Sequence, residues 1–269
     1  MLVESFSKRV FYFHAANYDQ IKFLEPSLQM NFLKRILEII FPNHCLYCQQ
    51  IISAEGLLCS CCWQKLQFIT EPKCNICSNP FEFLISENLT CAACLKRRPA
   101  YDKAIVIFHY NEIIKKIISD LKYRDKTYIA KKLANFLINK AKKEIDEADF
   151  IIAVPLHKKR LRHRKFNQSL IIIQFMLKNI SKRKFYPDFL LRIKNTTPQV
   201  ALSKKQRQKN LTDAFIIKPK YREIVKNKNF LLIDDVITTG ATLENCAKIL
   251  KKSGAKKVVV LTIAKTVFN

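Results

Sequence analysis

Apolar residues in this chain follow two alternating patterns. Short, mainly apolar runs lie at 104–110, 150–154 and 230–233 and within 255–264, and they read as strands buried on both faces. Between them the spacing becomes helical. Ile114, Ile117, Ile118 and Leu121 make one stripe, Ile129, Leu133, Phe136 and Leu137 a second, and Leu243, Cys246, Ala247 and Leu250 a third that Gly254 closes. Strands that alternate with helices predict an α/β domain with a parallel sheet. Upstream, residues 31–41 predict a short amphipathic helix with Asn31 as cap and Pro42 as stop. The segment from Asn195 to Asp213 has neither period, and a long polar loop in a compact domain reads as a lid.

Composition narrows the class. The chain has 269 residues, 49% hydrophobic and 26% charged, as expected of a globular protein able to bury a sizeable core. No apolar run reaches the ~18 residues of a membrane span. The first thirty residues carry Glu4, Lys8, Arg9, Asp19 and Lys22, which is not a signal peptide, so the chain reads as cytoplasmic. Residues 1–29 show no sustained period, cap or motif; they read as a dispensable leader, with Met30 as an alternative start. Net charge is +26. A field of that size attracts polyanions, nucleic acid first among them, although lysines enriched by an AT-rich genome would produce it too.

Eight of the ten cysteines form four Cys-x-x-Cys pairs, Cys45/Cys48, Cys59/Cys62, Cys74/Cys77 and Cys91/Cys94. Two such turns present four thiolates to one tetrahedral ion, so the spacing predicts two structural zinc sites in a ribbon module. A thioredoxin-like dithiol would need one pair at a strand–helix junction, not four in a row. Pairing by order gives Cys45, Cys48, Cys59 and Cys62 as one site and Cys74, Cys77, Cys91 and Cys94 as the other; crossed pairing stays open. Cys61 and His44 are adjacent substitutes, and Cys246 reads as core packing. With four protein ligands each, the sites leave no position for substrate.

Two further segments carry chemistry. In Phe230-Leu-Leu-Ile-Asp-Asp-Val-Ile-Thr-Thr-Gly-Ala-Thr242 an apolar strand ends in Asp234 and Asp235, then Thr238, Thr239, Gly240, Ala241 and Thr242 turn into a helix. Free N–H groups at a helix start favour a phosphate, and carboxylates accept from sugar hydroxyls; together they point to ribose 5-phosphate. Only three glycines occur in the chain, against a usual share of about 7%, so Gly240 answers a backbone need. After the strand at 150–154 come six basic side chains and two histidines within 157–165, including His157, Lys158, Arg160 and Arg164. Cations at that sheet edge suit a pyrophosphate leaving group, or form a solvated or nucleic-acid-binding loop.

The Phe230–Thr242 stretch resembles the signature of type I phosphoribosyltransferases, which bind phosphoribosyl pyrophosphate (PRPP). Taken with the four cysteine pairs, Pro155-Leu-His157, Arg164-Lys-Phe-Asn-Gln168, Thr197-Pro-Gln199, Arg207 and Asn210, the order is similar to that of the ComF family, over residues 31–266. That resemblance implies an α/β fold of the type I phosphoribosyltransferase kind, its parallel sheet preceded by a four-cysteine zinc-ribbon module. The expected division is a leader at 1–29, a helix at 30–42, a double zinc ribbon at 43–98 and a phosphoribosyltransferase-like domain at 99–269. It also implies PRPP bound with Mg²⁺, the ribose hydroxyls on Asp234 and Asp235 and the 5-phosphate on Thr238 through Thr242. Pyrophosphate candidates are His157, Lys158, Arg160, Arg164, Asn167, Gln168, Gln199 and Arg207. The chain departs from the family pattern in two places: Lys165 replaces a usual glycine, and Thr212-Asp213 replace a usual Arg-Gly.

The implied role is in DNA uptake, natural transformation or DNA utilisation, with single-stranded DNA and DNA-uptake helicase machinery as partners. Two functions follow. One is a phosphoribosyltransferase; the other is a non-catalytic protein that handles single-stranded DNA and uses the PRPP pocket as a sensor or phosphate site. Phe166, Tyr123 and Trp63 are the candidate stacking aromatics for DNA.

Overall fold

A computed structural model describes residues 42–52, 56–83, 89–123, 126–179, 184–193 and 214–267. The leader at 1–29, the helix at 31–41 and the lid segment at 195–213, with Gln199 and Arg207, lie outside the described residues. The chain divides into two compact units, Met1–Asn43 and His44–Asn269, and all but two residues of the first are outside the described set.

The second unit contains helices α1 (Ser60–Gln64), α2 (Ala92–Lys96), α3 (Glu112–Tyr123), α4 (Tyr128–Lys140), α5 (Lys142–Glu147), α6 (Lys158–Arg164), α7 (Gln168–Asn179) and α8 (Ala241–Lys252). Its strands are β1 (Lys103–His109), β2 (Phe150–Ala153), β3 (Lys184–Phe185), β4 (Leu190–Arg192), β5 (Phe215–Ile217), β6 (Asn229–Ile237) and β7 (Lys257–Lys265). Five of them form a sheet in the order β1-β7-β6-β2-β3 with every pairing parallel. β4 and β5 form a separate antiparallel pair.

Both faces of the sheet are covered, which is why its strands lack alternation. Ile151, Leu231, Ile233, Val259 and Leu261 share one core with Leu121, Ile129, Leu133 and Met176 from α3, α4 and α7. Their strand neighbours Ile152, Phe230, Leu232, Val258 and Val260 share another with Leu243, Cys246 and Leu250 of α8, Phe215 of the small pair and Phe189 just before it.

β6 runs further than its apolar residues suggest. It continues through the acid pair to Ile237 because β7 keeps pairing with it, up to Ile237 opposite Lys265. The basic run after β2 is not a loop: residues 158–164 form the short helix α6.

The cysteine segment is a duplicated unit. Cys45 N–H donates to Gln50 O and Gln49 N–H to Cys45 O; twenty-nine residues on, Cys74 N–H donates to Asn79 O and Ser78 N–H to Cys74 O. Gln49 and Ser78 both have positive φ, 65° and 56°. In each copy the second cysteine pair opens on a five-residue helix, α1 after Cys59 and α2 after Cys91. Between the copies, residues 67–69 run antiparallel along β1: Ile69 N–H donates to Ile107 O and His109 N–H to Gln67 O, both at 2.8 Å. That pairing covers the outer side of β1.

Candidate functional site

The sheet order sets where a ligand can enter. β2 leads outward to β3 and β6 leads the other way to β7, so the chain parts at the carboxyl ends of β2 and β6. Open α/β sheets bind ligands at such a switch point. The last paired residues there are Ala153 and Ile233. Beyond them β6 presents Asp234 and Asp235, and β2 leads to His157 and α6.

Successive strand residues point to opposite sides, and the two carboxyls meet different partners. Asp234 Oδ1 accepts from the Asp235 N–H at 2.9 Å and from Ser169 Oγ at 3.4 Å. Asp235 is ion-paired with Lys122 of α3. Burial, then the charge of Asp235, pushes the Asp234 carboxyl up to about 7. A carboxylate held this way gains from any donor or cation that stabilises its charged form, which is what sugar hydroxyls or a divalent ion supply.

After Ile237 the chain turns through 238–240 into α8. Gly240 has φ +73°, a conformation that L side chains rarely adopt. Space is not its constraint, since an added Cβ would meet only Ile237 Cγ2 at 3.9 Å. Among the described residues no side-chain hydrogen bond is made by the cap residue Gly240, and the buried Thr239 Oγ1 has no hydrogen-bond partner. A twelve-residue helix with an uncapped start and an orphaned hydroxyl fits an anion.

Across the opening, His157 caps α6, its Nδ1 accepting from Lys159 N–H at 3.3 Å. Burial and the nearby cations Arg192, Lys159, Arg160 and Lys158 lower its pKa. Lys158 is exposed. Burial, then the charge of Arg164, lowers Arg160. Arg164 donates to Gln168 Oε1 and to Tyr123 Oη and lies over the Tyr123 ring at 5.4 Å. Asn167 and Gln168 are buried: Asn167 Nδ2 donates to Val154 O at 2.9 Å, and its Oδ1 accepts from Ser169 N–H at 3.0 Å. They fix the join between β2 and α7 from inside.

Arg192, like Lys122 and Ser169 on the acid pair, is a site residue that sequence reasoning missed. It ends β4, is 8% exposed, lies over the Phe215 ring at 5.4 Å, and is lowered to about 10 by burial and Arg160. Nothing in Leu190-Leu191-Arg192 marks it; only the antiparallel pairing with β5 brings it to this edge. Beside the turn, a cleft of about 880 Å³ runs between β5 and α8, lined by Phe215, Ile217, Ala241, Arg222, Lys248 and Lys252 among others.

The cysteines gather as two sets of four, Cys45, Cys48, Cys59, Cys62 and Cys74, Cys77, Cys91, Cys94, with all sulfurs of a set within 4.8 Å. Pairing therefore follows chain order. A tetrahedral zinc with bonds of about 2.3 Å requires sulfurs about 3.8 Å apart; Cys48 to Cys59 and Cys77 to Cys91 are each 3.6 Å. Cys61 is exposed and, like His44, outside both sets, while Cys246 is buried in the core.

Comparison with known proteins agrees with both halves. The double zinc ribbon domain matches residues 36–95, and the phosphoribosyl transferase domain matches residues 176–266. Competence protein F of Haemophilus influenzae is 30% identical over 239 residues, covering 84% of this chain and 98% of that protein. The chain belongs to the ComF family. Other ComF relatives are DNA utilization protein YhgH of Escherichia coli K12, 26% identical over 84% of this chain and 98% of its own, and competence protein ComFC of Bacillus subtilis, 26% identical over 80% and 87%. Among solved structures, a glutamine PRPP amidotransferase from B. subtilis has a TM-score of 0.34 at 19% identity, over 49% of this chain and 25% of that one.

Lys165 is the position at which the resemblance to ComF proteins leads one to expect a glycine. Lys165 ends α6 with φ +64°, so the backbone keeps a glycine-like conformation without the glycine. Among the described residues no helix is long and apolar enough to cross a membrane.

Proposed function

We propose that this protein binds PRPP at the switch point and acts in DNA uptake or utilisation. The observation that carries the reading is the union, at one sheet edge, of the acid pair, the uncapped α8 start and the His157–Arg164 helix. Asp234 and Asp235 accept from the ribose 2- and 3-hydroxyls, and 238–242 cradle the 5-phosphate through backbone N–H groups and the free Thr239 hydroxyl. Arg160, Arg164 and His157 face the pyrophosphate, with Lys158 at the exposed rim. Mg²⁺, bound with PRPP beside the acid pair, would neutralise charge on the leaving pyrophosphate. Each four-cysteine set holds one structural zinc ion.

Single-stranded DNA is the proposed second ligand, with the protein in the cytoplasm beside the DNA-uptake helicase machinery. Support comes from the net charge of +26 and from the cationic cleft along α8. Tyr123 and Trp63 are exposed enough to stack on bases, at 56% and 40%. The test is calorimetry with PRPP and Mg²⁺, repeated with a short oligonucleotide. Saturable PRPP binding that Asp234→Asn with Asp235→Asn abolishes supports the pocket. PRPP binding to the double variant as tight as to the natural protein would sink the ribose assignment.

A further inference from the structure

One buried cation lies outside the candidate site. Lys265, the last residue of β7, is 9% exposed, and among the described residues it meets no carboxylate. Its ammonium donates to Cys77 O at 3.0 Å and to Cys77 Sγ at 3.3 Å. A charged amine is costly to bury unless it is paired. Four thiolates around one zinc ion carry a net charge of −2, so the second cysteine set supplies that pairing, and Lys265 in turn removes half of the set's excess charge.

The backbone of the same residue reaches the phosphate turn. Lys265 is paired with Ile237, and Thr266 N–H donates to Ile237 O at 2.9 Å. Ile237 precedes 238–242 directly, and its Cγ2 is the neighbour that underlies Gly240. A second tie meets the turn from the other side. Ala100, six residues beyond Cys94, donates its N–H to Glu244 Oε2 at 2.7 Å, and the Glu244 N–H donates to Gly240 O at 2.8 Å. The set itself is fastened to β1, where Ala104 N–H donates to Ile76 O and Ser78 Oγ to Ala104 O, both at 2.7 Å.

We propose that Lys265 is a positioning residue that joins the second cysteine set to the phosphate turn, so that metal held by Cys74, Cys77, Cys91 and Cys94 and anion held at 238–242 stabilise one another. Among the described residues the first set shows no such link: Cys45 and Cys62, with the neighbouring Leu46, Leu57 and Leu58, pack into the core on the α4 side. The coupling is therefore specific to one of two otherwise similar metal sites. This inference rests on the zinc and PRPP readings above.

The experiment follows zinc release from the full chain to a chromogenic chelator. Lys265→Met should speed loss of one of the two zinc ions about 10–100-fold, the usual cost of removing an outer-sphere partner, and leave the other unchanged. Lys265→Arg, which keeps the charge, should restore slow release. In the natural protein, saturating PRPP with Mg²⁺ should tighten equilibrium binding of that same ion against the chelator about fivefold or more, because coupling is reciprocal. This arm decides if Lys265→Met fails to fold. Unchanged release in the methionine variant, or no tightening while calorimetry shows PRPP bound, overturns the proposal. Fewer than two zinc ions in the natural protein, or no PRPP binding at all, instead overturns the readings beneath it; without PRPP binding, the Lys265→Met arm alone decides.

Discussion

Asp234 holds a charge where the fold disfavours it, and that has a consequence for stability. Its folded-state pKa is raised to about 7, above the usual carboxylate value. The folded state therefore binds more protons than the unfolded one between pH 4 and 7, and stability falls as pH rises through that window. Asp234→Asn removes the effect. We expect the variant to be more stable than the natural chain by about 1–3 kcal/mol above pH 7, with the gain shrinking to nothing as pH falls to 4, while PRPP binding is lost. Thermal melts across that pH range check the sign. Lys165 supplies a second residue-scale prediction. At φ +64° a side chain is strained, so Lys165→Gly should stabilise by about 1 kcal/mol in urea unfolding. The acid pair and the cysteines were legible because each carries its chemistry in a local spacing. Arg192 and Lys265 were not, because their partners Phe215 and Cys77 are remote in sequence or set by strand pairing.

At the scale of elements, the sequence revealed strands and helices better than their ends. The 230–233 run marked β6, but the strand's last four residues are set by β7 rather than by their own polarity. The basic run at 157–165 offered no apolar stripe, so its helix could not be read; α6 buries no residue and is started by the His157 cap. The β4–β5 pair escaped notice because its strands are three residues each and pair across a long gap in sequence. The turn into α8 was legible, since a glycine in a chain with three of them marks a backbone need, but Ala241 and Thr242 already belong to the helix. Gly240→Ala should cost about 1–2 kcal/mol, the penalty of a left-handed residue with a Cβ. Circular dichroism should show the helix content unchanged, while calorimetry shows weaker PRPP binding.

For the whole molecule, both cysteine sets and the sheet belong to one compact unit, so metal removal should be felt throughout it. We expect two zinc ions per chain and, after chelation, a single melting transition at lower temperature instead of loss of the cysteine segment alone. The charge of +26 gives a further expectation. Lys248→Glu with Lys252→Glu should weaken oligonucleotide binding and flatten its salt dependence while leaving PRPP affinity unchanged, as read by fluorescence anisotropy. The antiparallel stretch at 67–69 lies between Cys62 of the first set and Cys74 of the second, anchored at both ends by residues that need metal. Without zinc it would peel away and leave β1 as a bare template for strands of other molecules. Metal starvation in a cell should then turn this protein into aggregates, visible as light scattering that zinc added early prevents and zinc added late does not reverse.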